Sequence, residues 1–165
     1  HRPTTYHFKL NCDGSVINGR AAAAFIIRDD TGNLVKAETT SLGEATISIA
    51  ECTAIRNGLL AAKQLQLSNL EVESDNKMVI NAASKADSFP WCIHVLLQDI
   101  WTTERCFVNI SYKHIYREAN TVADFLAKLS LSIQKTLAVY LDCFVDFDNI
   151  ISLDKIGHIL ERRVS

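Results

Sequence analysis

Four acidic side chains stand where the predicted elements of this chain would bring them close together. They are Asp13, Glu51, Asp75 and Asp124. Ionised carboxylates a few ångströms apart repel one another, so a cation must balance their charge. Oxygen ligands of this kind suit Mg²⁺ or Mn²⁺. Two such ions can stabilise the attacking and the leaving oxygen of a phosphodiester under hydrolysis. The residue types therefore predict a two-ion site with chemistry on phosphodiesters.

Each acid also has a simpler explanation when it is considered alone. Asp13 precedes a glycine, and this pair is common in hairpin turns. Ser48 and Glu51 have the spacing of a helix capping box. Ser74 or Asp75 could cap the helix that follows them. Only their joint placement distinguishes a metal site from these local roles.

Two predicted strands end on two of the acids. Residues 6–13 alternate apolar and polar side chains, which predicts a half-buried strand that ends at Asp13 and turns at Gly14. Residues 70–75 alternate in the same way, and Asp75 has the polar parity. If the two strands are parallel neighbours, the carboxylates lie about 4.8 Å apart at the edge where ligands bind in open α/β sheets.

The remaining elements predict an α/β fold. Its mixed five-stranded sheet combines a three-strand antiparallel meander with two parallel strands and carries helices on both faces. Turn residues and periodicity place further strands at 20–28, 34–40 and 106–115, and helices at 48–66, 77–84, 89–105 and 118–131.

Length and composition limit the remaining possibilities. We expect one domain over residues 1–131 and a C-terminal tail over 132–165 that is helical or partly ordered. The net charge of −2 gives no global basic field, so contact with nucleic acid must be local. Five cysteines without a CxxC pair predict reduced thiols rather than a disulfide framework or a zinc site.

The sequence also gives expectations about the setting of the protein. It has no apolar run that would span a membrane and no signal-peptide pattern, so we expect an intracellular protein of the nucleus or cytoplasm that is not secreted. We expect a monomer. Because the chain begins at His1 rather than at a methionine, we interpret it as a piece of a larger protein.

Four short motifs, each containing one of the acids, carry a resemblance to a known family. They read NCDGS at 11–15, AECTA at 50–54, ESD at 73–75 and REANTVAD at 117–124. In this order they resemble the four motifs of the type 1 ribonuclease H family. The resemblance covers residues 6–131 and is closest to the plant ribonuclease H-like domains of reverse-transcriptase-like, retrotransposon-related proteins.

The resemblance implies the ribonuclease H fold and magnesium-dependent hydrolysis of the RNA strand in an RNA–DNA hybrid. It implies that Asp13, Glu51, Asp75 and Asp124 hold two Mg²⁺ or Mn²⁺ ions. It also implies a chain that is fused to, or derived from, a reverse transcriptase polyprotein.

Other site residues are expected around these ligands. His114 has the spacing of a histidine that assists proton transfer, although a histidine within a strand is often structural. Arg117 is either a contact to the scissile phosphate or a solvated loop charge. Further contacts to the hybrid are expected from Gly14, Ser15, Thr46, Ser48, Asn76 and Asn120, with recognition through 2′-hydroxyls and groove shape.

Two departures from the family pattern keep a second function open. Residues 21–24 are alanines where the family has glycines, and the region between Asp75 and Trp101 lacks a cluster of lysines. Both favour a catalytically weak or inactive nucleic-acid-binding remnant of a retrotransposon. A 3′–5′ exonuclease is a third possibility, but it would begin with Asp-x-Glu, whereas Asp13 is followed by Gly-Ser.

Overall fold

The computed structural model describes residues 7–133 and 137–140. Six strands form one mixed sheet in the order β5-β4-β1-β2-β3-β6. The elements in chain order are β1 (Phe8–Ile17), β2 (Arg20–Arg28), β3 (Leu34–Glu44), α1 (Ile47–Gln64), β4 (Asn69–Ser74), α2 (Lys77–Ala83), a 3₁₀ turn (Trp91–Ile93), α3 (His94–Glu104), β5 (Asn109–His114), a second 3₁₀ turn (Arg117–Ala119), α4 (Thr121–Ile133) and β6 (Leu137–Tyr140).

The predicted α/β class and the five-strand arrangement are confirmed. Strands β1, β2 and β3 form the antiparallel meander, and β4 pairs in parallel with both β1 and β5. A sixth strand, Leu137–Tyr140, pairs antiparallel with the outer edge of β3. This strand falls within the predicted tail, of which residues 134–136 and 141–165 lie outside the described part. The proposed boundary after residue 131 stays a prediction.

Strand β1 is longer and more deeply buried than predicted. It does not end at Asp13, because pairing with β2 continues from Asp13↔Ala24 to Ile17↔Arg20. The turn lies at Asn18 and Gly19, whose positive φ angles of 52° and 77° are typical of a two-residue hairpin. What ends near Asp13 is the parallel pairing with β4, whose last pair in the register is Cys12↔Ser74.

Both faces of the sheet are covered, which explains this burial. Helices α1, α2 and α3 pack on one face around Leu10, Phe25 and Val72. Helix α4 packs on the other face against Ala24 and Ile26. The side chain of Asp13 shares the α4 face, since Asp13 lies directly opposite Ala24.

The capping residues of two helices differ from the predictions in ways that matter for the site. Thr46, not Ser48, is the N-cap of α1, and its hydroxyl accepts a hydrogen bond from the Ile49 amide at 3.4 Å. The N-cap of α2 is Asn76, whose side chain accepts from the Val79 amide at 3.1 Å. Glu51 and Asp75 are therefore free of the capping roles that local sequence suggested.

One further feature bears on the predicted setting. Across residues 7–133 and 137–140, no helix combines the length and the hydropathy that crossing a bilayer requires.

Candidate metal centre

Two neighbouring parallel strands supply the first two acids. Asp13 and Asp75 each follow the last residue pair of the β1–β4 ladder, Cys12 and Ser74. The sheet therefore presents both carboxyls at the same end of the parallel pair, as the strand alternation predicted. Asp13 is buried at 1% exposure, and the side chain of Asp75 is 12% exposed.

Helix α1 delivers Glu51 because it packs unusually close to β1. A Cβ atom at Gly14 would lie 2.5 Å from the backbone nitrogen of Glu51 and 2.7 Å from the carbonyl carbon of Ala50. Only glycine allows this approach. The Gly14 amide and the Ser74 hydroxyl both donate to the Glu51 carboxylate, the latter at 3.4 Å.

The three acids form one compact group. Asp13, Glu51 and Asp75 each offer a carboxylate oxygen, and these oxygens all lie within 4.8 Å of one another. Oδ2 of Asp13 is buried, and among the described residues it has no hydrogen-bond donor. A buried acceptor without a donor is costly. A divalent cation would satisfy it, so the donor set fits a hard metal ion.

Electrostatics in the metal-free protein agree with this geometry. Burial, followed by the charges of Asp75 and Asp124, raises the pKa of Asp13 to about 8. Burial, followed by the charges of Asp13 and Asp75, raises the pKa of Glu51 to about 9. Without a cation, the fold therefore favours the protonated form of both buried carboxyls.

The fourth predicted acid lies outside the group of three. Asp124 is in the first turn of α4, and its Oδ2 accepts from Lys128 Nζ at 2.6 Å. It is still close enough for its charge to raise the pKa of Asp13. The start of α4 is fixed beside β1 by the buried side chain of Asn120, whose Nδ2 donates to the Cys12 carbonyl at 2.8 Å.

A second basic side chain, that of Arg117, lies at the exposed edge of the acid group. Arg117 Nε donates to Asp75 Oδ2 at 3.3 Å, and the arginine side chain is 78% exposed. This hydrogen bond, followed by the charges of Asp75 and Asp124, raises the pKa of Arg117.

An open cavity of about 440 Å³ lies beside the carboxylates. His114, the last residue of β5, points its Nε2 to within 3.1 Å of the Asp75 carbonyl oxygen. Tyr116 is 79% exposed and its ring meets that of His114 edge-on at 6.0 Å. The cavity is lined by Ile47, Glu51, Asp75, Asn76, Lys77, His114, Ile115, Tyr116 and Arg117.

The residues predicted to contact substrate divide into two sets. Asn76 and Arg117 line the cavity beside the acids. The others do not line it: Gly14 packs on α1, Thr46 caps that helix, and Ser15 and Asn120 are buried. Ser48 is half-buried in the first turn of α1.

Several residues of the site were missed at the level of sequence, among them Lys77, Lys128, Ser74 and Tyr116. Lys128 follows Asp124 by four residues, a spacing that places two side chains together on a helix and could have been noticed. Ser74 accepts from the Asn76 amide at 3.1 Å while its hydroxyl faces Glu51. Tyr116 carries no local pattern that would have identified it.

The sheet order and the acids at the end of its parallel strands together define a ribonuclease H-like protein. Residues 11–130 match the family model described as "Reverse transcriptase-like", and the chain belongs to that family. The resemblance seen in the four motifs is thereby confirmed.

Known proteins of similar sequence and structure agree. An Arabidopsis thaliana protein named "Putative ribonuclease H protein" is 30% identical over 129 residues, which is 76% of this chain and 20% of the relative. The chain thus spans one fifth of that relative's length. RNase H1 from Halobacterium salinarum superposes with a TM-score of 0.73 at 22% identity, covering 77% of this chain and 98% of that one. LC11-RNase H1, solved with an RNA/DNA hybrid, superposes with a TM-score of 0.72 at 21% identity, covering 77% of this chain and 98% of that one.

Proposed function

We propose that this domain is a divalent-metal-dependent endonuclease that hydrolyses the RNA strand of RNA–DNA hybrids. The observation that carries the proposal is the group of three carboxylates within 4.8 Å of one another. Such a group, with an unpartnered buried oxygen on Asp13, has little structural use without a cation.

Asp13, Glu51 and Asp75 would hold the metal, and Asp124 would complete the set of ligands for two ions. Bound Mg²⁺ or Mn²⁺ would supply an activated water and neutralise the charge that develops on the phosphate. The protein holds the ligands rigidly, because two come from adjacent strands and the third from a helix that contacts Gly14 directly.

Arg117 and His114, which line the cavity beside the acids, have roles that follow from their position. Arg117 is exposed beside Asp75 and would bind a phosphate oxygen through its guanidinium. His114 is exposed, lines the cavity and is held by the Asp75 carbonyl. Its imidazole would hold or release a proton at the edge of the site.

The substrate class is supported by the shape of the site and by family membership. The cavity is open and carries Lys77 and Arg117 next to the acids, which suits a phosphate backbone. The similar LC11-RNase H1 was solved with an RNA/DNA hybrid.

An inactive nucleic-acid-binding remnant is the second candidate. Of the two departures from the family pattern that favour it, the run of alanines carries less weight in the folded structure. The four alanines at residues 21–24 are buried at 0–2% exposure within the sheet. Their methyl groups therefore contact the protein interior rather than a bound nucleic acid.

The proposal is tested by cleavage of a hybrid duplex whose RNA strand is end-labelled. We expect Mg²⁺-dependent cleavage within the RNA strand and none of the DNA strand. Asp13→Asn and Asp75→Asn should each lower the rate by at least about a hundredfold. Lys85→Gln, which removes a charge paired with Glu104 instead, should leave it unchanged. Binding of the hybrid without cleavage by the wild type would favour the remnant.

A further inference from the structure

Two outer carboxylates of the site each contact a basic side chain of the same chain. Asp75 pairs with Arg117 at 3.3 Å, and Asp124 pairs with Lys128 at 2.6 Å. Among the described residues, neither Asp13 nor Glu51 has an ion-pair partner within 4 Å. The two basic side chains therefore pair with the more exposed acids of the cluster, Asp75 and Asp124.

The Lys128–Asp124 pair engages the one predicted ligand that lies outside the group of three. Asp124 does not belong to that group. Its Oδ2 is engaged by an ammonium group from the next turn of α4, in the acid-before-base order that favours such pairs on helices. An ion that recruits this oxygen must first displace the lysine.

The Arg117–Asp75 pair acts inside the group of three. The contact is made by one nitrogen, Nε, to one oxygen, Oδ2, so the pair is not bidentate. Exposed pairs of this kind are weak and exchange readily with other partners. The guanidinium therefore lowers the negative potential that attracts a cation without closing the site.

We propose that Arg117 and Lys128 are counter-cations of the acid cluster that compete with divalent ions and so set its metal affinity. This inference rests on the proposed function, because it takes the carboxylates to be metal ligands. It adds a means of regulation: a substrate phosphate that draws the two basic side chains away from the acids would leave the site more receptive to metal.

The inference is tested by calorimetric titration of Mn²⁺ into protein stripped of metal, without nucleic acid. Arg117→Gln and Lys128→Gln should each lower the dissociation constant about two- to fivefold, the range expected for loss of an exposed ion pair. Their side chains are 78% and 53% exposed, so neither substitution disturbs the core.

Three controls separate competition from a general effect of charge. Lys85→Gln removes a pair of the same 2.6 Å length, with Glu104, and should leave the dissociation constant unchanged. Arg117→Lys keeps the charge and should stay close to wild type. Asp13→Asn introduced into the Lys128→Gln variant should abolish the increase in Mn²⁺ affinity, because that increase must come from this site.

The outcomes distinguish the inference from the proposed function. Equal or weaker Mn²⁺ binding by both Gln variants, or an equal gain with Lys85→Gln, would overturn it even if the wild type cleaves hybrid. A gain confined to the two Gln variants would support it even if no hybrid were cleaved. Uptake of Mn²⁺ by these variants and not by the wild type would also support it.

Discussion

Asp13 and Glu51 are carboxyls that the fold buries side by side, and their protonation is linked to stability. Their pKa values of about 8 and about 9 in the folded protein lie well above the ordinary values of 3.8 and 4.5. Between about pH 4 and pH 8 these two carboxyls therefore bind more protons in the folded chain than in the unfolded chain. Their contribution to the free energy of unfolding of the metal-free protein therefore falls as the pH rises through this window.

We expect the metal-free protein to be more stable at pH 5 than at pH 8. The slope for each of the two carboxyls is at most about 1.4 kcal/mol per pH unit. Urea unfolding in EDTA, measured across this range, checks the prediction. Asp13→Asn should flatten the profile, and a profile that rises with pH in both proteins would contradict it.

Adding metal should reverse the fall in stability with rising pH, because a cation favours the ionised carboxylates. At a Mn²⁺ concentration a hundred times its dissociation constant, the gain is about 2.7 kcal/mol. The same unfolding experiment at pH 8 measures this gain. Asp13→Asn, Glu51→Gln and Asp75→Asn should lose most of it, whereas a gain of equal size in these variants would assign the ion to another place.

At the scale of elements, the contact of α1 with β1 positions Glu51. The contact depends on Gly14, where a Cβ atom would lie 2.5 Å from a backbone nitrogen that cannot move independently of the helix. We expect Gly14→Ala to lower the free energy of unfolding by about 1–3 kcal/mol. Urea unfolding measures this loss of stability, with Ser15→Ala as the control on the same strand. A loss below 0.5 kcal/mol (roughly the effect of a neutral substitution) would show that α1 adjusts freely.

The start of α1 gives a second test at this scale. Thr46→Ala should cost about 0.5–1 kcal/mol, at the lower end for an N-cap because the hydrogen bond is long at 3.4 Å. Ser48→Ala should cost less, since Ser48 lies inside the helix. Thermal unfolding of both variants compares them directly. The opposite ranking would favour Ser48 as the N-cap, as in the capping box that the sequence suggested.

Several elements could be predicted because their signals are local. Alternation in β1 and β4 gave Asp13 and Asp75 the polar parity, and the predicted parallel pairing of the two strands, which the structure confirms, placed them together. The role of Glu51 could not be decided locally, because Thr46 and Ser48 are both suitable caps and backbone geometry selects between them. The end of β1 was misplaced because its pairing with β2, which continues to Ile17, is a tertiary contact.

At the scale of the whole molecule, the acid cluster lies where the two halves of the sheet meet. The antiparallel meander supplies Asp13, the parallel strands supply Asp75, and helices on opposite faces supply Glu51 and Asp124. The strand Leu137–Tyr140 was not foreseen, because a short apolar segment becomes a strand only when the open edge of β3 pairs with it. The ligand role of Asp124 stays a prediction, and its pair with Lys128 was overlooked although the spacing of four residues on a helix indicates it.

The central claim is that these acids converge to hold metal, and anomalous diffraction from crystals soaked in Mn²⁺ tests it most directly. We expect one peak within about 2.0–2.3 Å of carboxylate oxygens from Asp13, Glu51 and Asp75. A second peak, reached by Asp124 after it leaves Lys128, should appear at higher Mn²⁺ concentration. Crystals that diffract well and show no peak among Asp13, Glu51 and Asp75 would contradict the account.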